Sequence, residues 1–318
     1  MEKVILDMDP GIDDALALLL ALSSPELAIQ GVTAVAGNTT VEKTGSNVRR
    51  VLEYVGRGEI PVYYGSSSPM ARPLSTAEHV HGSDGLGETG IPGPHQPPSP
   101  GGIQFIAETV AKNPGEVTLI ATGPLTNIAL AFTLYPRTPR LVKRLVIMGG
   151  AYHLTPYGRG NVTPLSEFNI YTDPEAANIV FNSSVPITCV GLDVSTNPSV
   201  KIDKKRYEEI RRLGGKKAEL ASRIMRYQLE RFGEVEVHDA LAVAAALRPE
   251  IFQTVEMRVQ ILTHNDASRG ATVAVKPKEG ERGNARICTS VDGEKFFELL
   301  LSRISEPDQT HTRIYFRD

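Results

Sequence analysis

Residues 6–15 read Leu-Asp-Met-Asp-Pro-Gly-Ile-Asp-Asp-Ala, and this stretch decides how the rest of the chain is interpreted. The preceding run Val4–Leu6 is apolar and β-branched, which predicts a buried strand. Pro10 and Gly11 break that strand, and the dense apolar run Ala15–Leu22 predicts a buried helix. The carboxylates between strand and helix therefore lie at the carboxyl end of a strand, where open α/β sheets bind ligands.

Four carboxylates fall within this junction, at Asp7, Asp9, Asp13 and Asp14. Negative charges this close raise one another's pKa unless something neutralises them. A hard divalent cation would do so, since such cations take oxygen ligands. Asp13 or Asp14 alone could instead cap the helix, because acidic residues favour its first turn. Capping does not account for Asp7 and Asp9, so the stretch predicts a site for a metal or another polar ligand.

Strand-like and helix-like segments alternate through the rest of the chain. Strands are predicted at 29–36, 60–64, 117–121, 145–148, 187–192, 257–262, 272–275 and 285–288. Helices are predicted at 41–55, at 103–111, after Pro124 as far as 134, at 173–181, through 203–247 with a break near Gly214, and at 293–304. This alternation predicts an α/β fold with a doubly wound, mostly parallel, Rossmann-like sheet and extra helices. No repeat or linker divides the chain, so a single domain over residues 1–318 is the simpler prediction.

Composition narrows the class of protein. The 318 residues carry 34 basic and 37 acidic side chains, a formal charge of −3, and no basic stretch of the kind that binds nucleic acid. No apolar run reaches the ~18 residues of a membrane span, and the first strand begins too early to leave room for a signal segment. Cys189 and Cys288 lie in apolar segments and are expected to be small buried hydrophobes. A cytoplasmic protein that binds neither nucleic acid nor membrane is expected.

Other polar residues follow later strands or precede helices. Asn38 and Thr122 each follow a predicted strand, and the last such group is the pair His238 and Asp239. A doubly wound sheet brings its strand ends to one rim, so these groups could share a cleft with the first carboxylates. Each has an ordinary interpretation alone: a turn for Asn38, a core position for His238, a helix cap for Asp239.

Two further segments are rich in polar residues. Residues 161–169 place Asn161, Glu167 and Asn169 close together. Residues 65–102 form a long irregular segment rich in Pro, Gly, Ser and His, and such loops are usually functional or mobile. The joint pattern of polar residues, Asn161, Glu167 and Asn169 included, predicts that they share one cleft.

Several motifs occur in the order typical of one enzyme family. They are DMDPGIDDA at 7–15, VAGN at 35–38, HGSDGLG at 81–87, ATGPLTNIA at 121–129, MGGAY at 148–152, EFNIYTDPEAA at 167–177, GLDVS at 191–195 and HDALAV at 238–243. The chain resembles the nucleoside hydrolases, calcium-dependent enzymes of nucleoside salvage that split nucleosides into base and ribose. The opening run is close to diagnostic, and the C-terminal part also fits.

The resemblance implies a role for each matching residue. Ca²⁺ would be held by Asp9, Asp14, Asp239 and the backbone carbonyl of Thr122, and Asp9 would also be the general base for the attacking water. The ribose hydroxyls would be held by Asp13, Asn161, Glu167 and Asn169, with Asn38 nearby. His81 and His238 would face the base, and His238 would be the candidate acid for the leaving group. Carboxylates suit this reaction, because loss of the base builds positive charge on the ribose.

The resemblance leaves the preferred base open. The pair His81 and His238 is similar to the inosine-uridine or pyrimidine-preferring branch, whereas the purine-specific branch stacks the base on tryptophans, which this chain lacks. Tyr227 and Phe232 are candidates for aromatic residues of the base pocket. Ala240 stands where the family often has proline, and only a local effect is expected. The resemblance also implies a ribonucleoside substrate and a homotetramer or homodimer.

Three other functions were weighed. Asp7 and Asp9 superficially fit a phosphatase of the haloacid-dehalogenase type, but such enzymes need a downstream lysine and a second acidic pair at matching strand ends. A non-catalytic nucleoside or sugar sensor could keep the calcium site, although the intact set of polar residues argues against it. A dinucleotide-binding enzyme is less favoured, because no GxGxxG motif follows the first strand.

Overall fold

The computed structural model describes residues 1–305 and is built around one nine-stranded sheet. The strands are β1 Glu2–Met8, β2 Leu27–Ala34, β3 Val62–Tyr64, β4 Val117–Ala121, β5 Arg144–Met148, β6 Ile187–Val190, β7 Phe252–Ile261, β8 Thr272–Val275 and β9 Ala285–Val291. Their order across the sheet is β3-β2-β1-β4-β5-β6-β9-β7-β8. All neighbours from β3 to β9 pair in parallel, and β7 pairs antiparallel with both β9 and β8.

The strand order reverses at β1, which lies between β2 and β4. The register pairs Asp7 of β1 with Thr33 of β2 on one side and with Ala121 of β4 on the other. The carboxyl ends of these three strands are therefore level, and the loops that follow them open at the same rim. In a doubly wound sheet this topological switch point is where a ligand-binding crevice forms.

Helices cover both faces of the sheet. They are α1 Ile12–Leu22, α2 Val41–Tyr54, α3 Glu78–His81, α4 Gly102–Lys112, α5 Thr126–Leu134, α6 Thr138–Leu141, α7 Phe168–Thr172, α8 Pro174–Phe181, α9 Leu192–Ser195, α10 Lys204–Arg212, α11 Gly215–Phe232, α12 His238–Leu247 and α13 Gly293–Ile304. Every residue of α1 is buried, because α1 packs against α11 and α12 as well as against the sheet. One apolar layer contains α1 and α12, and the layer on the opposite face contains α5 and α8.

The α/β class, the mostly parallel doubly wound sheet and the extra helices are confirmed. The helix predicted from Ala15 begins at Ile12, so Asp13 and Asp14 lie in its first turn. Four short helices, α3, α6, α7 and α9, were not predicted, because four or five residues are too few to show a helical period. No helix within residues 1–305 combines the length and apolar character needed to cross a bilayer. The predicted single domain extends to residue 318 and so includes residues outside the described part.

Candidate active site

The polar residues of three chain segments meet at the switch point. Asp9 follows β1 directly, Asp13 and Asp14 occupy the first turn of α1, and Asp239 occupies the first turn of α12. Thr122 follows β4, the neighbour of β1. These four carboxylates are all buried, with exposed fractions between 0% and 5%. The fold therefore holds at least four acidic groups in its interior, at the edge where a ligand is expected.

Three of these carboxylates form a compact triplet. Oxygens of Asp13, Asp14 and Asp239 lie within 4.8 Å of one another. Asp14 is held most firmly, since its Oδ1 accepts a hydrogen bond from Thr122 Oγ1 at 2.7 Å and its Oδ2 accepts one from the Gly11 N–H at 3.0 Å. Three buried carboxylates this close cannot all stay ionised unless a proton or a cation lies among them.

Asp9 lies beside this triplet and is positioned by its neighbours. Its Oδ2 accepts a hydrogen bond from the Asn38 N–H at 2.7 Å, and the Asn38 side chain donates to the Asp9 carbonyl at 3.1 Å. Gly37 and Gly123 leave room for the carboxylate, because a Cβ atom would come within 2.0 Å of Oδ2 at Gly37 and within 2.6 Å of Oδ1 at Gly123. Asp9 Oδ1 is buried and has no hydrogen-bond partner among the described residues. The family resemblance implies Asp9 and not Asp13 as a metal ligand, whereas Asp13 is the third member of the carboxylate triplet in the structure.

The cluster is electrostatically uncompensated. Burial, reinforced by the neighbouring carboxylates, raises the pKa of Asp9 and Asp239 well above the ordinary range and that of Asp13 to about 7. Within residues 1–305 the nearest ion-pair candidate is His81, whose Nδ1 is 3.9 Å from Asp13 Oδ1. Asp13 Oδ1, like Asp9 Oδ1, is buried without a hydrogen-bond partner. Buried oxygens with no donor, close together and without a cationic side chain, are a suitable donor set for a metal ion.

Three of the residues predicted to bind ribose are hydrogen-bonded to backbone groups. Glu167 caps the N-terminus of α7, and its carboxylate accepts hydrogen bonds from the backbone N–H groups of Gly150, Asn169 and Ile170 at 2.7–3.1 Å. Asn169 donates from its side chain to the Thr122 carbonyl at 2.8 Å. Asn161 is exposed, and its side-chain oxygen accepts from the Phe168 N–H at 3.0 Å. All three line the same cavity as Asp13 and Asp239.

The two histidines differ in environment. Burial, together with the nearby His238 and His79, lowers the pKa of His81 to about 3, so His81 is neutral and its contact with Asp13 is not an ion pair. His81 Nδ1 accepts a hydrogen bond from the Ile12 N–H at 3.1 Å, which leaves the ring proton on Nε2. In His238 both ring nitrogens face oxygens, with Nδ1 2.9 Å from Ser195 Oγ and Nε2 3.1 Å from Glu236 Oε2.

These groups surround a cavity of about 370 Å³, a size suited to a small molecule. The predicted site residues that line it are Asp13, Asn38, His81, Thr122, Asn161, Glu167, Asn169, His238 and Asp239. Asp9 and Asp14 lie behind this surface, fully buried. The cavity thus brings together nearly all residues that the sequence placed in one site.

Several lining residues were not predicted. They are residues 75–77, 79 and 80 of the long loop, together with Met148, Val162, Phe168, Gln228 and Glu236. Phe168 and Glu236 are close in sequence to predicted site residues, and this proximity is the feature of the sequence that could have identified them. Gln228 lies inside a long amphipathic helix, where nothing in the sequence distinguishes it.

The suggested aromatic residues of the base pocket do not line this cavity. Tyr227 packs beneath Arg231, with the guanidinium carbon 4.3 Å from the ring centroid, and Phe232 is 56% exposed at the end of α11. The helical rotation that puts Gln228 on the pocket side turns its neighbour Tyr227 away. The prediction for Tyr227 and Phe232 was therefore wrong, and Phe168 is the aromatic residue of the lining.

Comparison with known sequences agrees with this geometry. The pyrimidine-specific ribonucleoside hydrolase RihA of Citrobacter koseri is 39% identical over 311 residues, which cover 95% of this chain and 97% of that protein. The protein of the same name from Salmonella agona is 41% identical over 310 residues, with the same coverage of both chains.

Solved structures give the same answer. The plant nucleoside hydrolase PpNRh1 superposes with a TM-score of 0.87 at 31% identity, covering 96% of this chain and 99% of that one. A purine-preferring ribonucleoside hydrolase from Gardnerella vaginalis superposes with a TM-score of 0.88 at 30% identity, covering 96% of this chain and 98% of that one.

The sequence profile of the inosine-uridine preferring nucleoside hydrolases matches residues 4–298. The chain therefore belongs to the nucleoside hydrolase family, whose reaction is hydrolysis of the N-glycosidic bond of ribonucleosides.

Proposed function

We propose that this enzyme uses Ca²⁺ at the acidic cluster to hydrolyse ribonucleosides, with a preference for pyrimidine bases. The observation that carries the proposal is the set of buried, uncompensated carboxylates beside a cavity of about 370 Å³. Polar groups suited to ribose hydroxyls line the same cavity, and two histidines lie beside them.

Asp9, Asp14, Asp239 and the Thr122 carbonyl would hold the cation, and Asp13 is close enough to share in the site. All are hard oxygen donors, and Ca²⁺ accepts about six to eight of them in flexible geometry. The orphaned oxygens of Asp9 and Asp13 support this assignment, because a cation would remove the cost of burying them. A bound Ca²⁺ would supply Lewis acidity that lowers the pKa of the water and orients the ribose.

Asp13, Asn161, Glu167 and Asn169 would bind the ribose. Glu167 and Asn169 are held rigidly, because each has its hydrogen bonds to backbone groups already formed. A rigid polar wall discriminates strongly against a sugar that lacks a hydroxyl, since the wall's own groups are then left unpaired. The carboxylates of Asp13 and Glu167 would also stabilise the positive charge that develops on the sugar as the base departs.

Asp9 would be the general base. Its Oδ2 is held by the Asn38 N–H, whereas its Oδ1 is free of partners and is the atom that would take the proton from water. Asn38 would orient Asp9, because it bonds both the side chain and the backbone of that residue.

The histidines would serve the leaving base. His81 is neutral with its proton on Nε2, so it would donate a hydrogen bond to the base without carrying charge. His238 lines the pocket next to the metal ligand Asp239 and would be the proton donor for the departing base.

The preference for pyrimidines rests on two observations. The curated relatives from Citrobacter koseri and Salmonella agona are named pyrimidine-specific. Among the described residues, the cavity lining contains one Phe, Tyr or Trp, Phe168, and so offers little aromatic surface for stacking a purine. A homotetrameric or homodimeric assembly and a cytoplasmic location stay predictions from the sequence.

A substrate panel tests the proposal. Uridine, cytidine, inosine, adenosine and 2′-deoxyuridine would be incubated with the purified enzyme and Ca²⁺, and free base measured by chromatography. We expect the highest kcat/KM for uridine and cytidine. We expect deoxyuridine to be poorer by about 10⁴-fold, as for sites built to hydrogen-bond a substrate hydroxyl.

Each part of the proposal can fail separately in this panel. Higher kcat/KM for inosine or adenosine than for uridine would contradict the base preference alone. Equal kcat/KM for uridine and deoxyuridine would contradict the assignment of the ribose wall. Binding of uridine without release of uracil would mean that the protein is a nucleoside sensor.

A further inference from the structure

One stretch of the long loop that follows β3 reaches the substrate cavity. Residues 75–77 line that cavity, and two of them are exposed. Within residues 1–305 no hydrogen bond holds residues 73–76, although Leu74 packs against a small apolar cluster. The next hydrogen bond along the chain runs from the Ala77 N–H to the Asn38 carbonyl, at 2.9 Å. The position of this stretch therefore depends on what holds its two ends.

Arg72 holds the first of these ends. Its guanidinium forms a bidentate pair with the Glu175 carboxylate, with Nε 3.1 Å from both oxygens and Nη2 2.7 Å from Oε1. Nη2 also donates to the Thr263 carbonyl, and Nη1 donates to Asn265 Oδ1 at 2.9 Å. The Arg72 side chain is only 12% exposed, so solvent screens this pair less than it screens a surface pair. Arg72 thus joins the loop to α8 and to the segment between β7 and β8.

The elements that hold Arg72 continue directly from a part of the proposed ribose site. Asn169 lies in α7, and α8 begins two residues after α7 ends. Asp173, between the two helices, is buried and accepts a hydrogen bond from the Met70 N–H at 2.9 Å. Glu175, in the first turn of α8, holds Arg72. Two successive contacts therefore tie the loop to the same corner that presents a residue proposed to bind ribose.

We propose that Arg72 is a positioning residue that, through Glu175, holds residues 75–77 in place to contact a bound nucleoside. This proposal rests on the proposed function, because it assumes that a ribonucleoside occupies the cavity. Arg72 is not one of the residues that line the cavity, and it touches no reacting atom. Its effect is on binding: without its bonds, residues 75–77 would sample several positions, and the substrate would have to order them.

This role predicts a change in KM and not in kcat, because a cost of ordering weakens the binding of substrate and transition state alike. We expect Arg72→Ala to raise KM for uridine by about 10-fold, the effect of ordering one or two side chains. It should change kcat by less than about 3-fold. Arg72→Lys should recover only part of the loss, since an ammonium group cannot form the bidentate pair.

The pairing itself is tested by a second substitution at its other member. Glu175→Ala should also raise KM for uridine, and by no more than Arg72→Ala does, because Arg72 keeps its contacts with Thr263 and Asn265. The double variant should exceed Arg72→Ala by less than about 2-fold, since two side chains that act as one unit are not additive. Additive effects of the two substitutions would contradict a role that passes through Glu175.

Arg144 provides the matched control for a merely structural role. It also forms a bidentate pair with a carboxylate, that of Glu2, and donates to a backbone carbonyl, that of Ala246. It begins β5, at the amino end of the parallel strands, whereas the cavity lies at their carboxyl ends. Both Arg72→Ala and Arg144→Ala should lower the temperature of thermal unfolding. Arg144→Ala should leave KM for uridine within about 2-fold of the wild type, because the two sites are distant.

Hydrogen–deuterium exchange supplies a measurement that does not depend on activity. Exchange of the amide protons of residues 70–77 would be followed by mass spectrometry of peptic fragments. We expect it to be at least about 3-fold faster in Arg72→Ala than in the wild type, because the local bonds that oppose opening are lost. In Arg144→Ala the same fragments should exchange as in the wild type.

The outcomes separate this proposal from the proposed function. An unchanged KM in Arg72→Ala, an equal rise of KM in Arg144→Ala, or a fall in kcat alone would overturn the positioning role while uridine hydrolysis by the wild type stood. A wild type that binds uridine but releases no uracil would overturn the proposed function, and the dissociation constant of uridine would then replace KM in the same comparison. Absence of uridine binding would overturn both. If Arg72→Ala does not fold, Arg72→Lys and Glu175→Gln, which keep most of the side-chain volume, make the comparison.

Discussion

At the scale of single residues, the site depends on carboxylates that the fold holds without neutralising them. Asp9 has one oxygen on the Asn38 N–H and the other without a partner, and Asp14 is fixed by Thr122 and Gly11. These hydrogen bonds do not offset the cost of burying the Asp9 carboxylate. The pKa of Asp9 is still raised well above its ordinary range, first by desolvation and then by the charge of Asp14. Such a group is poised to bind a cation and to accept a proton.

The role of His238 can be tested at the same scale. In His238→Ala the proton donor is lost, so kcat for uridine should fall by roughly 10²–10⁴-fold, the range typical of acid catalysis. Hydrolysis of p-nitrophenyl riboside should hardly change, because its leaving group departs without a proton. Both rates would be measured at saturating Ca²⁺. If both substrates lost activity equally, the substitution would have disturbed metal or ribose binding, and His238 would not be the acid.

The individual site residues were largely foreseeable from their positions after strands and within family motifs. Their pairwise contacts were not. Residues that follow parallel strands can be predicted to lie at the same edge of the sheet. The directions of their side chains depend on the local turns, such as the one that brings Asp13 beside Asp239. The position of Glu236 in the cavity lining was missed, because nothing in the sequence around it distinguishes it from a surface residue. Its contacts are with Lys201, Gln228 and His238.

At the scale of elements, the turn after β2 shows how backbone shape fixes Asp9, the proposed general base. Gly37 follows β2 and its α-carbon faces the Asp9 carboxylate, so that a methyl group there would come within 2.0 Å of Oδ2. Any larger residue must displace Asp9 or the turn. The same close approach is repeated from the β4 side by Gly123.

Gly37→Ala should therefore inactivate the enzyme and, because the added methyl overpacks a buried site, lower the free energy of unfolding by about 1–3 kcal/mol. We expect kcat/KM for uridine to fall by at least about 10²-fold, since a misplacement of about 1 Å in a catalytic group costs that much. The control is Gly93→Ala, where an added methyl would have no atom of residues 1–305 within 4 Å. Thermal unfolding of both variants would be compared with the wild type. Normal activity in Gly37→Ala would show that the position of Asp9 is not critical.

The opposite end of β1 is held by a charged group. The Glu2 carboxylate accepts hydrogen bonds from Thr118 on β4, from Arg144 at the start of β5 and from Lys143. Burial raises its pKa, but these three hydrogen bonds outweigh that effect and lower it to about 2. Three neighbouring strands are thus joined by one side chain at the end of the sheet remote from the pocket.

This network predicts a pH-dependent contribution to stability. A carboxyl group whose pKa is depressed on folding stabilises the protein above the unfolded value of 4.5, and loses that contribution as the pH falls toward 2. Glu2→Gln should lower the free energy of unfolding by about 1–2 kcal/mol at pH 7, with partial solvent screening already allowed for. The difference from the wild type, measured by denaturant titration, should shrink between pH 4.5 and 2.

A control separates this effect from general loss of surface charge. Glu59 also pairs with an arginine, Arg57, but both side chains are largely exposed. Glu59→Gln should change the free energy of unfolding by less than about 0.5 kcal/mol. A Glu2→Gln variant as stable as wild type at pH 7 would mean that the three strands do not depend on this network.

At the scale of the whole molecule, strand order explains why residues far apart in sequence form one site. The reversal at β1 opens a crevice between β1 and β4, and α1 and α12 both begin at its edge. The alternation of strands and helices was enough to predict the sheet and its parallel character. The antiparallel placement of β7 beside β9 was not predictable, because short apolar strands carry no direction in their sequence.

The central claim is that the buried carboxylates work through a bound Ca²⁺ to release a free base from a ribonucleoside. It is tested most directly by measuring uracil and ribose release from uridine before and after removal of metal with a strong chelator, and again after Ca²⁺ is restored. We predict equal amounts of uracil and ribose with Ca²⁺, at most a residual rate after chelation, and recovery on addition of Ca²⁺. Full activity in the chelated enzyme, or no uracil release with Ca²⁺ present, would contradict the claim.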